Sequence, residues 1–131
     1  MQCKWVFQTK LVADGSDIKH KEILVSNGYS QVHGADYTET FAPVAKMDSI
    51  RLVLVLAASK GWEVHHMDVK SDFLHGEIQE EIYMQQPKGF QEDPSLACRL
   101  NKSLYGLKQA PSDWYAKMDA FLLSIGFTRC K

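Results

Sequence analysis

The opening pattern of apolar and β-forming residues favours strands. A run rich in strand formers extends from Trp5 to Val12, and a second extended run covers Ile18 to Val25. The Ala13-Asp-Gly-Ser16 segment between them is a turn signal. The sequence therefore predicts a β-hairpin, followed by another turn at Asn27-Gly28.

The middle of the chain predicts a loop and then a helix. Residues 29–43 have no stable period, so we expect an ordered loop packed on the core. The segment from Met47 to Lys60 is typical of a helix, with Asp48 or Ser49 near its N-cap and Gly61 just past its end. Its centre, Leu52 to Leu56, could in isolation equally be a buried strand, but the segment's length favours the helix. Because it is apolar nearly all round, we expect burial on more than one side.

Short strands and one more helix complete the pattern. Glu63 to Asp68 is predicted as a strand that ends at Asp68, and Glu81 to Gln85 as a further extended piece. Residues 97–107 predict one or two strands, with Gly106 between them. A final helix is expected over Ala110–Ser124, with Pro111 in its first turn and Trp114, Met118, Phe121 and Leu122 on one face. The predicted fold class is α+β.

Composition and charge limit the function classes. The chain has 131 residues, of which 45% are hydrophobic and 24% charged, which indicates one domain with a core and no disorder. Residues 1–96 carry nine Lys and Arg against fourteen Asp and Glu, whereas residues 97–131 carry six against two, giving −5 and +4. A basic C-terminal third is compatible with phosphate contacts, although ordinary surface charge is its commoner meaning.

Cysteine and histidine positions argue against several kinds of site. The three cysteines are far apart and form no Cys-x-x-Cys pair, which argues against a disulfide framework and a zinc site and favours a reducing compartment. His65 and His66 are neighbours on a predicted strand, so they point to opposite faces and do not chelate one ion. We find neither a signal peptide nor a membrane-spanning run, and therefore expect an intracellular protein without membrane contact.

Asp68 is the strongest candidate for chemistry. A carboxylate at a strand end, followed by Lys70, Ser71 and Asp72, can hold a hard cation, because Mg²⁺ prefers oxygen ligands and keeps several waters. One carboxylate does not complete a two-metal site, in which two ions lie about 3.5–4 Å apart and need further carboxylates.

Motifs along nearly the whole chain resemble those of one polymerase family. The segments are Trp5-Val-Phe, Gly28-Tyr-Ser-Gln-Val, Asp36-Tyr-Thr-Glu-Thr-Phe-Ala-Pro-Val, Met67-Asp-Val-Lys-Ser, Phe73-Leu-His-Gly, Gln86-Pro-Lys-Gly-Phe and Ser103-Leu-Tyr-Gly-Leu-Lys-Gln-Ala-Pro. Together they are similar to the reverse transcriptase of Copia-type LTR retrotransposon Pol polyproteins. The resemblance covers the N-terminal part of that polymerase and implies the fingers (1–46) and the first half of the palm (47–131) of a right-hand fold.

The resemblance also implies roles for individual residues. Asp68 matches the first catalytic aspartate and a Mg²⁺ or Mn²⁺ ligand. Val69 and Phe73 match the positions that hold the triphosphate and the incoming sugar. Tyr105 and Gly106 match the nucleotide side of the palm, and Lys108 and Gln109 the template side; Arg99 and Lys102 are further candidates for phosphate contacts. The implied partners are an RNA or DNA template-primer and deoxynucleoside triphosphates.

The chain departs from the family pattern at several charged positions. Ile23 and Asn27 stand where an arginine and a lysine that reach the triphosphate are expected, and Asp72 replaces a small residue. Ser112-Asp113 replaces an Arg-Ala pair. Losing charge-assisted phosphate contacts weakens nucleotide binding. The family's Tyr-x-Asp-Asp hairpin has no counterpart, since no Asp-Asp pair occurs in the sequence.

Three interpretations remain open on the sequence alone. The chain is a fragment of a reverse transcriptase that is inactive by itself, a non-enzymatic remnant that binds nucleic acid or another partner, or the product of a decayed reading frame. Half a palm sheet would expose an edge and an apolar face, so we also expect self-association.

Overall fold

The computed structural model describes residues 1–11 and 18–129, which fold into two small antiparallel sheets and two helices. The described residues therefore form an α+β arrangement, as predicted. In chain order the elements are β1 (Cys3–Leu11), β2 (Ile18–Ser26), α1 (Met47–Lys60), β3 (Tyr83–Gln85), β4 (Ala97–Arg99) and α2 (Ala110–Ser124), with short 3₁₀ turns at Gly28–Ser30 and Asp72–His75.

Strands β1 and β2 form the predicted hairpin. Their antiparallel register pairs Cys3 with Ser26 at one end and Leu11 with Ile18 at the other. The predicted turn over residues 13–16 lies outside the described residues. Because side chains alternate along a strand, Trp5, Phe7 and Leu24 share one face of the hairpin, whereas Lys21 and Ile23 lie on the other. The hairpin thus presents two chemically different surfaces.

Both helices occupy the predicted segments. Helix α1 ends at Lys60, and Gly61 follows in the left-handed conformation with φ of 65°, which is the expected C-cap geometry. The N-cap is Lys46, two residues before Asp48, which lies in the first turn of the helix. Helix α2 begins with Ala110-Pro111, where proline costs no hydrogen bond.

The predicted strand over Glu63–Asp68 is wrong. Residues 62–69 have no regular secondary structure and their side chains are exposed. A strand needs a neighbour that accepts and donates its backbone hydrogen bonds, and no described residue pairs with this segment. The local preference for an extended chain is therefore not converted into a sheet.

The predicted burial of α1 is also wrong. Ala57 is its one buried residue among those described, while Leu52 and Val55 are 60% and 65% exposed. An apolar helix surface this large marks a contact surface rather than a solvated face. In the described residues, neither helix is long and apolar enough to cross a membrane.

The core is small and lies where β3, the 103–109 segment and α2 meet. Ile82, Leu107 and Ala110 form its buried centre, and partly buried apolar side chains surround them, including Phe73 and Leu104. The backbone of Leu100 donates to the Ile82 carbonyl at 2.9 Å, which joins β3 to the chain after β4.

Two glycines allow the hairpin to lie directly against the 103–109 segment. The Ser26 amide donates to the Tyr105 carbonyl at 2.7 Å, and Val25 pairs with Tyr105. A Cβ on Gly106 would lie 2.1 Å from the Ser26 oxygen, and one on Gly28 would lie 1.9 Å from the Gly106 oxygen. No side chain fits between the two backbones, so this contact, the glycine seam, requires glycine on both sides.

Replacing Gly106 with alanine should destabilise the fold far more than replacing Gly126. Both glycines have positive φ, 92° and 96°, but Gly126 has nothing within 4 Å of an added Cβ. Gly126→Ala then reports backbone strain alone, about 1–3 kcal/mol. Gly106→Ala adds the clash with Ser26, and we expect at least about 2 kcal/mol more loss in urea unfolding. Equal losses for the two variants would contradict the glycine seam.

Self-association of the chain stays a prediction, and the exposed apolar side chains of α1 form the surface through which we expect it. The double variant Leu52→Gln, Val55→Gln keeps helix-compatible residues while removing apolar area from one side of α1. We expect it to lower the average mass measured by sedimentation equilibrium. Val44→Gln, at a residue 87% exposed and outside the helix, is the control. A wild-type chain that sediments as a monomer at every concentration would argue against this role of α1.

Candidate functional site

A cleft of about 400 Å³ is lined by residues for which the sequence predicts metal or nucleotide binding. It is lined by the turn Asp68–Asp72, by Tyr105 and by Lys21. Three separate parts of the chain supply them: the segment after α1, the segment after β4, and strand β2. The cleft is called the nucleotide cleft below, after the role that the resemblance predicts for its residues.

The turn Asp68–Asp72 has an unusual backbone. Ser71 has φ of 55°, the one positive value at a non-glycine residue among those described. Residues other than glycine rarely adopt this backbone conformation, and such backbone strain is often found at functional sites. Ser71 immediately precedes the 3₁₀ turn Asp72–His75, so the strained residue redirects the chain after Asp68.

Tyr105 is fixed by two neighbours on that turn. Its hydroxyl donates to Asp72 Oδ1 at 2.9 Å, and its ring meets the Phe73 ring edge to face with centroids 5.1 Å apart. Asp72 Oδ1 also accepts from the Phe73 amide at 2.9 Å. Burial raises the pKa of Tyr105 from 10.0, and the hydrogen bond to Asp72 and the charges of Asp72 and Asp68 add to this. The hydroxyl therefore remains a donor at neutral pH.

The structure brings most of the predicted nucleotide-binding residues together. Asp68 is exposed and lines the nucleotide cleft beside Val69 and Tyr105. Phe73 packs on Tyr105, and Gly106 follows Tyr105 at the glycine seam. Their catalytic and binding roles stay predictions.

Arg99 and Lys102 lie away from the nucleotide cleft. Arg99 is on β4, with its Nε 3.9 Å from Glu81 Oε1, and Lys102 forms an isolated backbone bridge with Glu77. Both residues are exposed, so they are accessible for phosphate contacts. The structure does not place them with Lys108.

Gln109 has an internal position that sequence reasoning missed. Its side chain is 1% exposed; its Nε2 donates to the Asp36 carbonyl and its Oε1 accepts from Gln31 Nε2, both at 2.9 Å. Gln31 Oε1 in turn accepts from the Lys108 amide at 2.8 Å. This amide network holds the 29–37 loop against the start of α2. A template contact by the Gln109 side chain would require breaking it.

Lys108 occupies the edge of the same network. Its Nζ donates to the Gln31 carbonyl at 3.1 Å and lies 4.9 Å from the centre of the Tyr37 ring. The residue is nevertheless exposed. It is therefore accessible to an anionic ligand, and its role in nucleic-acid binding stays a prediction.

Lys21 is the site residue that the motifs did not reveal. It lines the nucleotide cleft, and Lys70 lines it as well. The alternation of side chains along a strand could have revealed Lys21, because residues 21 and 23 lie on the same face of β2. Ile23 stands at the expected arginine position, and a cation is present two residues earlier on the same surface of β2.

The donor set fits one magnesium ion better than two. Asp68 is an exposed carboxylate, and Mg²⁺ is commonly bound through one or two carboxylates together with waters and phosphate oxygens. Asp72, the neighbouring acid, already accepts from Tyr105 and Phe73. Within residues 1–11 and 18–129, no group of three His, Cys, Asp or Glu residues is placed to hold a metal ion.

Asp113 is a half-buried acid in the first turn of α2. It accepts a hydrogen bond from the Ser103 hydroxyl, and burial raises its pKa above 3.8, an effect that the bond from Ser103 partly opposes and the charge of Glu80 reinforces. The folded state therefore binds this proton more readily than the unfolded state does, and stability falls as pH rises through the raised pKa.

Asp113→Asn should therefore make the protein more stable at about pH 7, with the advantage disappearing below about pH 4. Asparagine keeps a carbonyl oxygen that can accept from Ser103. Asp119→Asn, on the same helix, is a control with the opposite expected sign. The hydrogen bond from Arg129 lowers the pKa of Asp119 and stabilises its ionised form, so this substitution should lower stability at about pH 7. Urea midpoints measured across this pH range check both signs. A destabilised Asp113→Asn at neutral pH would contradict the burial argument.

Comparison with known proteins gives a consistent family assignment. The profile of the reverse transcriptase (RNA-dependent DNA polymerase) family matches residues 1–131. The retrovirus-related Pol polyprotein from transposon TNT 1-94 of Nicotiana tabacum is 52% identical over 126 residues, which are 95% of this chain and 10% of that protein. The Pol polyprotein from transposon RE2 of Arabidopsis thaliana is 46% identical over 127 residues, 95% of this chain and 9% of that protein.

A more distant relative extends the match to yeast. The transposon Ty1-ER2 Gag-Pol polyprotein of Saccharomyces cerevisiae is 30% identical over 112 residues, 82% of this chain and 6% of that protein. No solved structure gives a significant match. The chain spans about a tenth of the first relatives' length. On the family match and these identities, the chain belongs to the reverse transcriptase (RNA-dependent DNA polymerase) family, in the branch found in Copia-type retrotransposon Pol polyproteins.

Proposed function

We propose that this chain forms the fingers (1–46) and the first half of the palm (47–131) of an RNA-directed DNA polymerase, and that Asp68 is one of its catalytic metal ligands. The observation that carries the proposal is the convergence of Asp68, Val69 and Tyr105 on one cleft, with Phe73 packed on Tyr105. These are the positions that the motifs assign to one nucleotide, although they come from segments more than thirty residues apart.

The charges of the nucleotide cleft support a nucleotide as its ligand. Lys21 and Lys70 are available for phosphate oxygens, and Asp68 for a magnesium ion bound to the same phosphates. Such an ion would neutralise charge that develops on the transferred phosphate. The chain's own contribution would be to hold that ion and orient the nucleotide through Phe73 and Tyr105.

The isolated chain is proposed to be inactive. Two-metal nucleotidyl transfer needs further carboxylates, and no Asp-Asp pair occurs in the sequence. In addition, Ile23 and Asn27 stand in place of two expected cations. Lys21 offsets only part of that lost charge.

The alternative is a non-enzymatic protein that binds nucleic acid. The exposed cations Arg99, Lys102 and Lys108 favour it, since phosphate contacts need only cations and weaken as salt rises. Binding without incorporation in the experiments below is the outcome that this alternative predicts.

Primer extension separates the two functions. The purified 131-residue chain should incorporate no nucleotide on a primed RNA or DNA template with Mg²⁺ or Mn²⁺, and the double variant Ile23→Arg, Asn27→Lys should gain nothing, because restored cations do not supply metal ligands. Template-dependent incorporation by the chain alone, abolished by Asp68→Asn, would overturn the proposed inactivity.

A chimera tests the catalytic role of Asp68 directly. Residues 1–131 would replace the matching 126-residue segment of the Nicotiana tabacum transposon TNT 1-94 Pol polyprotein, which is 52% identical, and primer extension by the unaltered polyprotein is the reference. We expect the chimera to extend a primer, Asp68→Asn to reduce extension at least about a hundredfold, and Ile23→Arg, Asn27→Lys to improve nucleotide use by about tenfold or more. Asp48→Asn, a substitution in the exposed first turn of α1, is the control. Activity that survives Asp68→Asn would refute the assignment.

A further inference from the structure

The Tyr105 ring lies where two separate parts of the fold meet. Its backbone belongs to the hairpin contact, since its carbonyl accepts from the Ser26 amide at 2.7 Å and Val25 pairs with it. Its ring packs on Phe73, which in turn packs against the buried core. Two aromatic rings are attracted in both edge-to-face and offset-stacked arrangements. Contact with Phe73 therefore does not by itself select one orientation of the Tyr105 ring.

Asp72 supplies the directional contact that the two rings lack. Its Oδ1 accepts hydrogen bonds from the Tyr105 hydroxyl and from the Phe73 amide, each at 2.9 Å. Hydrogen bonds to an ionised acceptor are about twice as strong as those between neutral groups. One carboxylate oxygen thus ties the far end of the Tyr105 ring to the backbone of the residue whose ring it touches, across 33 positions of the chain.

The charge of Asp72 acts in the opposite direction on a nucleotide. Two lysines and two aspartates line the nucleotide cleft, namely Lys21, Lys70, Asp68 and Asp72, so its charges balance before any metal binds. A carboxylate close to a triphosphate weakens the attraction of the neighbouring cations for it. The hydrogen bonds of residue 72 and its charge therefore have opposite effects on nucleotide affinity, and substitutions can separate them.

We propose that Asp72 is a positioning residue of the nucleotide cleft, which holds the Tyr105 ring through its hydroxyl in the orientation that receives the nucleotide. This role rests on the proposed function of the cleft. It is particular to this chain, because the family pattern has a small residue at this position, without an oxygen to accept from a tyrosine. Nucleotide affinity then depends on the hydrogen-bonding capacity of residue 72 more than on its charge.

Titration of the full 131-residue chain with Mg²⁺ and deoxythymidine triphosphate tests this role, with NMR chemical shifts as the readout because they also measure weak binding. Asp72→Asn removes the charge but keeps an oxygen that accepts from Tyr105, whereas Asp72→Ala removes both. We expect Asp72→Asn to bind at least as tightly as wild type, and Asp72→Ala to bind at least about fivefold more weakly than Asp72→Asn. Equal affinities of the two variants would leave charge as the sole effect and overturn the proposal.

A double-mutant cycle with Tyr105→Phe tests whether Asp72 acts through the tyrosine hydroxyl. In the Asp72→Asn background the loss of the hydroxyl should weaken nucleotide binding about fivefold. In the Asp72→Ala background it should change binding by less than about twofold, because the acceptor is already gone. Losses of the same size in both backgrounds would show that the hydroxyl acts without residue 72, which contradicts the proposal.

A second tyrosine–carboxylate pair provides matched controls. The Tyr83 hydroxyl donates to Glu81 Oε1 at 2.6 Å, and neither residue lines the nucleotide cleft. Tyr83→Phe and Glu81→Gln should bind the nucleotide like wild type. Urea midpoints of all variants separate positioning from stability: affinities that follow the midpoints in cleft and control variants alike would make Asp72 a structural residue only and overturn its positioning role.

The same titration distinguishes failure of this role from failure of the proposed function. Nucleotide binding that is insensitive to every substitution of Asp72 and Tyr105 overturns the positioning role and leaves the proposed function standing. Absence of nucleotide binding by wild type and by every variant, Asp72→Asn included, overturns both.

Discussion

The close approach of two backbones at Gly28 and Gly106 is the constraint on which the rest of the structure depends. It joins the hairpin, from the first quarter of the chain, to the segment that leads into α2. Backbone hydrogen bonds form at such short range only when no Cβ intervenes. The Gln31 and Gln109 amides then close the contact from one side, where each buried polar group has a partner. Together they determine where the hairpin sits relative to Tyr105.

That placement gives the hairpin two faces that line different concave surfaces. On one face Lys21 lines the nucleotide cleft together with Asp68, and on the other Trp5 and Phe7 line a groove of about 830 Å³ with the chain that follows β3. The period of two along each strand separates them, since adjacent residues point to opposite sides. Glu22, which pairs with Phe7, lies on the same face as Trp5, so each face of the hairpin carries charged residues.

Helix α1, unlike the hairpin, forms without packing against the rest of the described residues. Its end is well specified by Gly61, and its bounds agree with the sequence pattern, but the core of Ile82, Leu107 and Ala110 lies elsewhere. Helical hydrogen bonds are local, so the helix needs no neighbour to satisfy its backbone. The exposed side chains of α1 remain an apolar surface for which the described residues provide no cover.

The sequence by itself determined the hairpin, both helices and the cluster of motifs around Asp68, because turn residues, caps and strand formers act over a few neighbouring positions. It did not determine the state of Glu63–Asp68, the exposure of α1, the internal role of Gln109 or the presence of Lys21 in the nucleotide cleft. Each of these depends on a partner far away in the chain: a paired strand, a packed surface, Gln31 at 78 positions' distance, or Tyr105. Local preference can propose an element, but only tertiary contacts decide what surrounds it.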